Sequence, residues 1–423
     1  MAQLSDDCFA FGGELMRADE AIGILAARVS TIAAPGPVPL TKAMGRVLAD
    51  DVVAGRNVPP HDNAAVDGYA VYFEDLNPGA ETRLKLAGRV AAGQSLGDTP
   101  ARGTAVRVFT GAPMPAGVDT CFMQEDCKVV PDSAGVDTIV FPPGIKRGAN
   151  RRKAGEDVKA GSTILKRGQR LRPQDIGLAA SVGATTLSVY RNLTVGVFST
   201  GDELREPGDA TPPGAVYDAN RYVLLALLGQ LGCEVRDYGI VRDRKDAVHD
   251  TLAQAAAECD AIITSGGMST GEEDHVRAAV AALGSIHFWR LAVRPGRPVA
   301  FGQVKGVAFV GLPGNPVAMM VTFLRFARPV LLRLGGASDI APHLFRVRAG
   351  FDAKKKLGRR EWIRARLTMD GDGMQVAQRF PRDGAGILTS LVESDGLIEL
   401  AENVTQVSAG TLVDFLPFSE VGV

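Results

Sequence analysis

The stretch Ile262-Ile263-Thr264-Ser265-Gly266-Gly267-Met268-Ser269-Thr270-Gly271-Glu272-Glu273-Asp274 decides the fold. A β-branched apolar run breaks into a Gly/Ser loop, then passes through acidic residues into the helical pattern Val276 to Leu283. A buried parallel strand that ends in glycines and feeds a helix N-terminus is suited to anions. Its free N–H groups and helix dipole favour negative charge, and the missing side chains let a phosphate approach closely. The acidic residues that follow suit a metal or a proton-handling role. An ordinary tight strand-to-helix connection uses the same residue types, so this motif alone leaves both readings open.

Its surroundings repeat the pattern. Leu193 to Ser199 reads as a buried strand ending in Thr200-Gly201-Asp202-Glu203. Tyr217-Asp218-Ala219-Asn220 precedes an apolar-periodic helix from about Arg221 to Leu231. Glu234 to Val241 reads as a strand, Asp246 to Glu258 as an Ala-rich helix, and Ile286 to Val293 as a further strand before the cationic turn Arg294-Pro295-Gly296-Arg297-Pro298. Val307 to Val310 runs into Gly311-Leu312-Pro313-Gly314-Asn315-Pro316 and a long helix from Val317 to about Leu334. Strands alternating with helices predict a doubly wound, mostly parallel α/β sheet, and in such sheets ligands bind outside the carboxyl ends of the strands. Four of those ends, at 199–203, 265–274, 290–297 and 311–316, carry Gly, Ser, Asp or Arg. They predict one pocket.

Motifs in the first half complete a family pattern. Asp62-Asn63-Ala64-Ala65-Val66-Asp67-Gly68-Tyr69-Ala70, Thr110-Gly111-Ala112-Pro113-Met114-Pro115, Gln124-Glu125 and Arg151-Arg152-Lys153-Ala154-Gly155-Glu156-Asp157 precede Thr200-Gly201-Asp202-Glu203-Leu204, Tyr217-Asp218-Ala219-Asn220-Arg221, Ser265-Gly266-Gly267-Met268-Ser269 and Gly311-Leu312-Pro313-Gly314-Asn315-Pro316. In that order they resemble the molybdopterin molybdenumtransferases, the MoeA/gephyrin family of molybdenum insertases. The resemblance runs from about residue 15 to the C-terminus.

Composition agrees. At 423 residues the chain is too long for one core. With 46% hydrophobic residues and a net charge of −1 it lacks the basic face that non-specific nucleic-acid binding needs. Cys8, Cys121, Cys127, Cys233 and Cys259 form no CxxC pair and read as reduced thiols, which fits a cytoplasmic protein; no stretch reaches transmembrane length. Short β-like runs at Leu84–Ala91, Ala105–Thr110, Thr120–Met123 and Thr138–Phe141, punctuated by glycines, predict a small β domain at 56–145. It is inserted into a discontinuous connecting domain at 1–55 and 146–192. The α/β domain follows at 193–336, and a C-terminal β domain at 337–423 takes the runs His343–Phe351, Glu361–Thr368, Met374–Arg379 and Leu397–Leu400. Lys354-Lys355-Lys356 with Arg359-Arg360 reads as a solvated hairpin tip.

The resemblance implies a chemistry: adenylylated molybdopterin and molybdate enter, the metal is inserted at the dithiolene sulfurs, and AMP leaves with the help of Mg²⁺. Phosphates would be held by Ser265, Gly266, Gly267, Ser269, Pro313, Gly314 and Asn315, and molybdate by Arg290, Arg294 and Arg297. Arg290 and Arg294 share one face while that segment stays extended. Family members usually carry lysines here; arginine keeps the charge and adds a planar fork, but excludes any role that needs a titrating amine. Mg²⁺ needs converging carboxylates, for which Asp202, Asp243 and Asp274 are candidates. Asp62, Thr110, Asp157, Glu203, Asp218 and Asp274 are the candidate catalytic residues. Rival readings stand beside these. Asp202, Asp218 and Asp274 would each serve as a helix cap worth about 1 kcal/mol, Glu203 as a first-turn acid, Asp243 as turn chemistry, Arg290 as a solvent-facing strand residue, and Arg151, Arg152 and Asp157 as a surface ion-pair cluster. His61 and His275 read as packing or surface histidines.

In the family the active unit is a homodimer with composite sites, the inserted domain of one chain facing the α/β domain of the other. Molybdopterin adenylyltransferase and the maturation partners of molybdoenzymes are the implied neighbours, with no nucleic acid and no membrane. An adenylyltransferase acting one step earlier and a gephyrin-like scaffold are the alternative functions. The flanking β domains argue against the first, and the lack of a long linker or second catalytic domain against the second.

Overall fold

The computed structural model describes residues 15–131, 137–267 and 275–422. In the α/β domain we number the elements in chain order as β1 (Thr194–Thr200), α1 (Ala219–Gln230), β2 (Glu234–Val241), α2 (Lys245–Glu258), β3 (Ala261–Ser265), α3 (His275–Leu283), β4 (Gly284–Arg290), β5 (Pro298–Val304), β6 (Val307–Leu312) and α4 (Pro316–Thr322). They form a six-stranded sheet of order β2-β1-β3-β6-β5-β4. The first four strands are mutually parallel, and β5 and β4 add antiparallel at the edge.

Every residue of β3 and of β6 is buried, as expected of strands covered on both faces. Alternation divides the covering. Val195, Val197, Ile263 and Val310 meet Leu224 and Leu228 of α1 and Met320 of α4, while Phe198, Ile262 and Phe309 meet Val248, Leu252, Val276 and Val280. Each such side chain contributes roughly 1.5–3 kcal/mol when fully buried. This double covering fixes which strand ends meet. Ser199 pairs in register with Ser265, and Ser265 with Leu312, so three of the expected loops leave the sheet side by side.

The edge differs from expectation. The segment 286–293 is not one strand: β4 stops at Arg290, where its partner is Pro298, which has no N–H to continue the ladder. Pro298–Val304, which carries no clear strand signal of its own, is the hairpin partner β5. The chain between them leaves the sheet, and Val293–Arg294 pairs instead with the C-terminal domain, Val293 with Arg360 and Arg294 with Glu361.

That domain is a closed barrel of β7 (Phe345–Ala349), β8 (Arg360–Met369), β9 (Gln375–Arg379), β10 (Gly396–Leu400) and β11 (Leu412–Pro417), with β8 pairing to both β9 and β10. The expected runs are therefore strands with shifted ends. The helix after α4 continues through a π turn at Phe323–Ala327 into Arg328–Leu334 and presses against the barrel. There the buried Glu399 accepts from Arg360 (3.0 Å) and from Trp362 Nε1 (2.9 Å), and lies 3.2 Å from Arg325. Arg360 also reaches Glu402 at 2.9 Å and Asp19 at 2.8 Å.

The inserted segment carries its own six-stranded sheet, with strands in the order 120–123, 68–71, 104–108, 82–90, 137–141 and 128–131. Its flanks join across the insertion: Pro35–Pro39 pairs with Thr186–Tyr190, and Val52–Val53 with Thr163–Leu165.

Glu399 faces two buried guanidiniums, and removing one partner of a buried pair typically costs about 3–5 kcal/mol. Glu399→Gln is expected to lower the unfolding free energy by about that amount in chemical denaturation. A loss under about 1 kcal/mol would mean that the cluster holds nothing together.

Candidate functional site

At the end of β3 the backbone turns through Gly266 (φ +94°) and Gly267 (φ +64°), a conformation that L side chains rarely adopt. Space forbids side chains as well. A Cβ on Gly266 would lie 2.9 Å from the Thr200 carbonyl oxygen, and one on Gly267 would lie 2.7 Å from Val276 Cγ2. The glycines therefore let the ends of β1 and β3 and the start of α3 close on one another. Asn220, the second residue of α1, ties the loops: its amide donates to Ser265 Oγ at 2.8 Å and to the Gly314 carbonyl at 2.7 Å. Asn315 precedes α4 in extended conformation and makes no side-chain cap. The N–H of Gly266 donates to the Leu312 carbonyl at 3.2 Å, and that of Val317 to the Ala385 carbonyl at 2.9 Å. These two donors are consumed. Ser269 and Asp274 lie outside the described residues.

The carboxylates separate into roles. Asp218 is buried and caps α1, accepting from the Arg221 N–H at 3.2 Å and the Arg221 Nε at 3.1 Å. Burial disfavours the Arg221 charge, yet Asp237, Asp218 and Glu206 together push its pKa above the ordinary arginine value. Asp218 thus has the structural role of the cap reading, with both oxygens engaged. Asp202 and Glu203 are exposed and lead into the short strand Leu204–Arg205, so no helix is there for either to cap. The Glu203 carboxylate lies over Gly201, where a Cβ would be 2.6 Å from Oε2. Asp243, after β2, accepts from Thr200 Oγ1 at 3.4 Å. Among the described residues no three His, Cys, Asp or Glu side chains come close enough together to hold a metal ion.

The inserted domain gathers its own group. Asp62 accepts from the Ala154 N–H (2.7 Å) and from Arg151 Nε (2.6 Å). Burial alone would raise its pKa; these bonds and the Arg151 charge hold it below the usual carboxylate range. Asp67 accepts from the Thr110 N–H and from Thr110 Oγ1, each at 2.8 Å, and these bonds likewise depress its pKa. Asp157 is exposed, its N–H given to the Val58 carbonyl. None of the described hydrogen bonds or ion pairs joins this group to the α/β loops.

The cationic turn opens on a cavity of about 510 Å³ between the α/β domain and the barrel. Arg294, Arg297, Lys354, Lys355, Arg359, Arg364 and Arg379 line it against only two carboxylates, Glu361 and Asp383, so its field is strongly positive. Arg294 sits 3.6 Å from Glu361 and 3.4 Å from Asp383. Arg364 is buried and held by Ser390 Oγ (3.0 Å) and the carbonyls of Arg382 (3.1 Å) and Gly384 (3.2 Å); no carboxylate forms an ion pair with it among the described residues. Burial lowers its pKa, Asp383 opposes that, and Arg294 and Arg379 add to the lowering. A buried cation beside other cations is favourable once an anion lies among them.

Two expectations need correction. Arg290 does not line the cavity, because the chain leaves the sheet after it and breaks the extended geometry that would have aligned it with Arg294. The run Lys354 to Arg360 is no solvated tip. Lys355 and Arg360 are each 8% exposed, and Lys355 and Arg359 form cavity wall. Nothing local in the sequence marks Arg364 or Arg379, both barrel arginines, as facing a neighbouring domain.

Three family models match in order: the MoeA N-terminal region (domain I and II) over residues 16–183, a probable molybdopterin binding domain over 196–333, and the MoeA C-terminal region (domain IV) over 346–418. The molybdopterin molybdenumtransferase of Haemophilus influenzae is 37% identical over 384 residues, covering 90% of this chain and 93% of that protein. The chain belongs to the molybdopterin molybdenumtransferase family, a family of transferases. Molybdopterin molybdenumtransferase 2 of Mycobacterium tuberculosis is 36% identical over 390 residues, covering 89% and 93% of the two chains. A crystal structure of the molybdopterin biosynthesis MoeA protein of Pyrococcus horikoshii OT3 superposes with a TM-score of 0.80 at 29% identity, covering 96% of this chain and all of that one. The family's multidomain architecture is therefore the one described above.

Asn220→Ala would leave the Ser265 hydroxyl and the Gly314 carbonyl without their donor, a loss of roughly 1–3 kcal/mol. The expected result is a folded protein, a lowered thermal midpoint and weakened binding of the pterin substrate. Unchanged substrate affinity would show that the loops hold their places without Asn220.

Proposed function

We propose that this chain inserts molybdenum into adenylylated molybdopterin, releasing AMP. One observation carries the reading: the cationic cavity and the glycine loops share a wall. Gly384 and Ala385 line the cavity, the Ala385 carbonyl accepts from Val317 in the first turn of α4, and a Cβ on Gly386 would lie 3.8 Å from Asn315 Oδ1. An oxyanion in the cavity would thus lie beside a pterin phosphate held by Gly266, Gly267, Gly314 and Asn315. Molybdate is the oxyanion that the family's chemistry requires. Arg294, Arg297 and Arg364 would hold it through planar N–H donors that keep their charge at any working pH.

Mg²⁺ belongs to the same reading. Asp202, Asp243 and Asp274 would be its carboxylate ligands, although Asp202 and Asp243 do not gather with a third donor among the described residues. Once bound it would neutralise phosphate charge at the bond that breaks. Asp62, Thr110 and Asp157 would complete each site from the partner of a homodimer, as the family resemblance implies. The same reading makes the protein cytoplasmic, receiving substrate from an adenylyltransferase and passing finished cofactor to molybdoenzyme maturation. No helix among the described residues is long and apolar enough to cross a membrane.

The test is an assay with adenylylated molybdopterin, Mg²⁺ and molybdate that follows AMP release and metal-loaded cofactor. Arg294→Ala and Arg364→Ala are each expected to raise the half-saturating molybdate concentration at least about tenfold, roughly 1.4 kcal/mol, while Arg294→Lys keeps much of the affinity. Molybdate titrations identical to wild type would place the oxyanion elsewhere. Mixing Asp62→Asn and Asp274→Asn chains, each expected to be inactive, under subunit exchange should restore about a quarter of wild-type activity, because half of the dimers then carry one intact site. No return of activity despite proven exchange would exclude composite sites.

A further inference from the structure

At one end of the inserted domain's sheet, two arginines stand directly opposite each other. Arg89 and Arg107 pair in register on adjacent parallel strands, just past the register shift between Leu86 and Gly88. Like charges placed directly opposite on a sheet are destabilising. No carboxylate forms an ion pair with either among the described residues. The nearby Asp67 has its carboxylate engaged by Thr110, although the Arg107 charge still acts on it. Gln124, a neutral side chain, accepts from Arg107. Both guanidiniums instead lie against one ring: Arg89 is 4.5 Å and Arg107 5.2 Å from the Phe109 centroid, and Arg107 is also 4.8 Å from Tyr69. Arg89 is exposed, and Arg107 and Phe109 are half-buried.

Packing explains the rings but not the charges. Tyr69 is buried with Phe122 and Phe141 in the core beneath this face, and that core needs no cation above it. A guanidinium stacked on an aromatic ring has lost much of its rotamer freedom while keeping its in-plane N–H donors, which suits it to a phosphate. A planar base also stacks well on guanidinium and phenyl surfaces. A neutral sugar would leave the two charges uncompensated, and a bare inorganic anion would gain nothing from the stacked planar surfaces.

We propose that Arg89, Arg107 and Phe109 form a binding site for a purine nucleoside monophosphate, the adenylyl half of the substrate. This rests on the insertase reading, in which the α/β loops take the pterin half and the adenylyl group is the remaining planar, anionic portion. Thr110 follows Phe109 directly, so the site adjoins the inserted-domain group that would serve the partner subunit. The chemistry of phosphate plus planar ring is shared by a pterin phosphate, and the ligand series below separates the two.

The full-length protein is titrated with 5′-AMP, adenosine, ribose 5-phosphate and a pterin monophosphate, and molybdate-dependent AMP release is measured on the same preparations. Wild type is expected to bind AMP more tightly than ribose 5-phosphate, adenosine or the pterin monophosphate. Arg89→Gln and Arg107→Gln should each weaken AMP at least tenfold, and Arg89→Lys less than either. Neither glutamine variant should lower the thermal midpoint, because each relieves the repulsion between the two guanidiniums. AMP binding that is equal in wild type and both glutamine variants, or absent from wild type, overturns the proposal. So does a tighter grip on the pterin monophosphate than on AMP that is lost in the glutamine variants. Persistence of molybdate-dependent AMP release in those cases leaves the insertase reading standing. Loss of AMP release in wild type, with AMP binding still sensitive to Arg89 and Arg107, would do the reverse.

Discussion

The segment Val293–Arg294 belongs to two domains at once. It leaves the edge of the α/β sheet and joins the barrel as a short strand beside Arg360 and Glu361. Arg294 can therefore face Arg364 across a cavity only while the barrel stays docked. At that junction Trp362, Leu397 and Leu416 of the barrel share an apolar core with Met320 and Phe326, and beside it Glu399 gathers Arg325 from the helix that follows the Gly314–Asn315 loop and Arg360 and Trp362 from the barrel strand. One carboxylate thus links the support of the glycine loops with the support of the cationic cavity. A buried cluster of this kind is weak evidence for stability, since apolar replacements often do as well. Its effect here is registry. It sets which barrel face meets which edge of the sheet.

Whatever depended on local pattern was readable in the sequence. The parallel strands were legible because a strand covered on both faces must be apolar throughout, and the loops because glycine is required where strand ends close on a helix. Hence β3, β6 and the Ser265–Gly267 turn stand where the sequence puts them. What failed depended on distant partners. Arg360 looked like part of a solvated basic run because its counter-charges Asp19, Glu402 and Glu399 lie 341, 42 and 39 residues away. Arg290 and Arg294 looked co-facial because nothing local reveals that Val293 pairs with another domain. Asp218 was open to two readings, and the partner that decided for the cap, Arg221, was only three residues on.

The arginines of the turn suit the cavity's electrostatics. With seven cations lining it, an amine would be pushed towards its neutral form, whereas a guanidinium keeps its charge. Arg364 shows the direction of that pressure, its pKa lowered by burial and by its cationic neighbours. Asp202 and Glu203, near the glycine loops, are exposed instead.

The most direct measurement is anomalous diffraction from crystals of the protein grown with tungstate, an isostructural stand-in for molybdate with a strong signal. A peak bounded by Arg294, Arg297 and Arg364, and lost in Arg364→Ala crystals, is the expected result. A peak at the Gly266–Gly314 loops with the barrel-side cavity empty would contradict it.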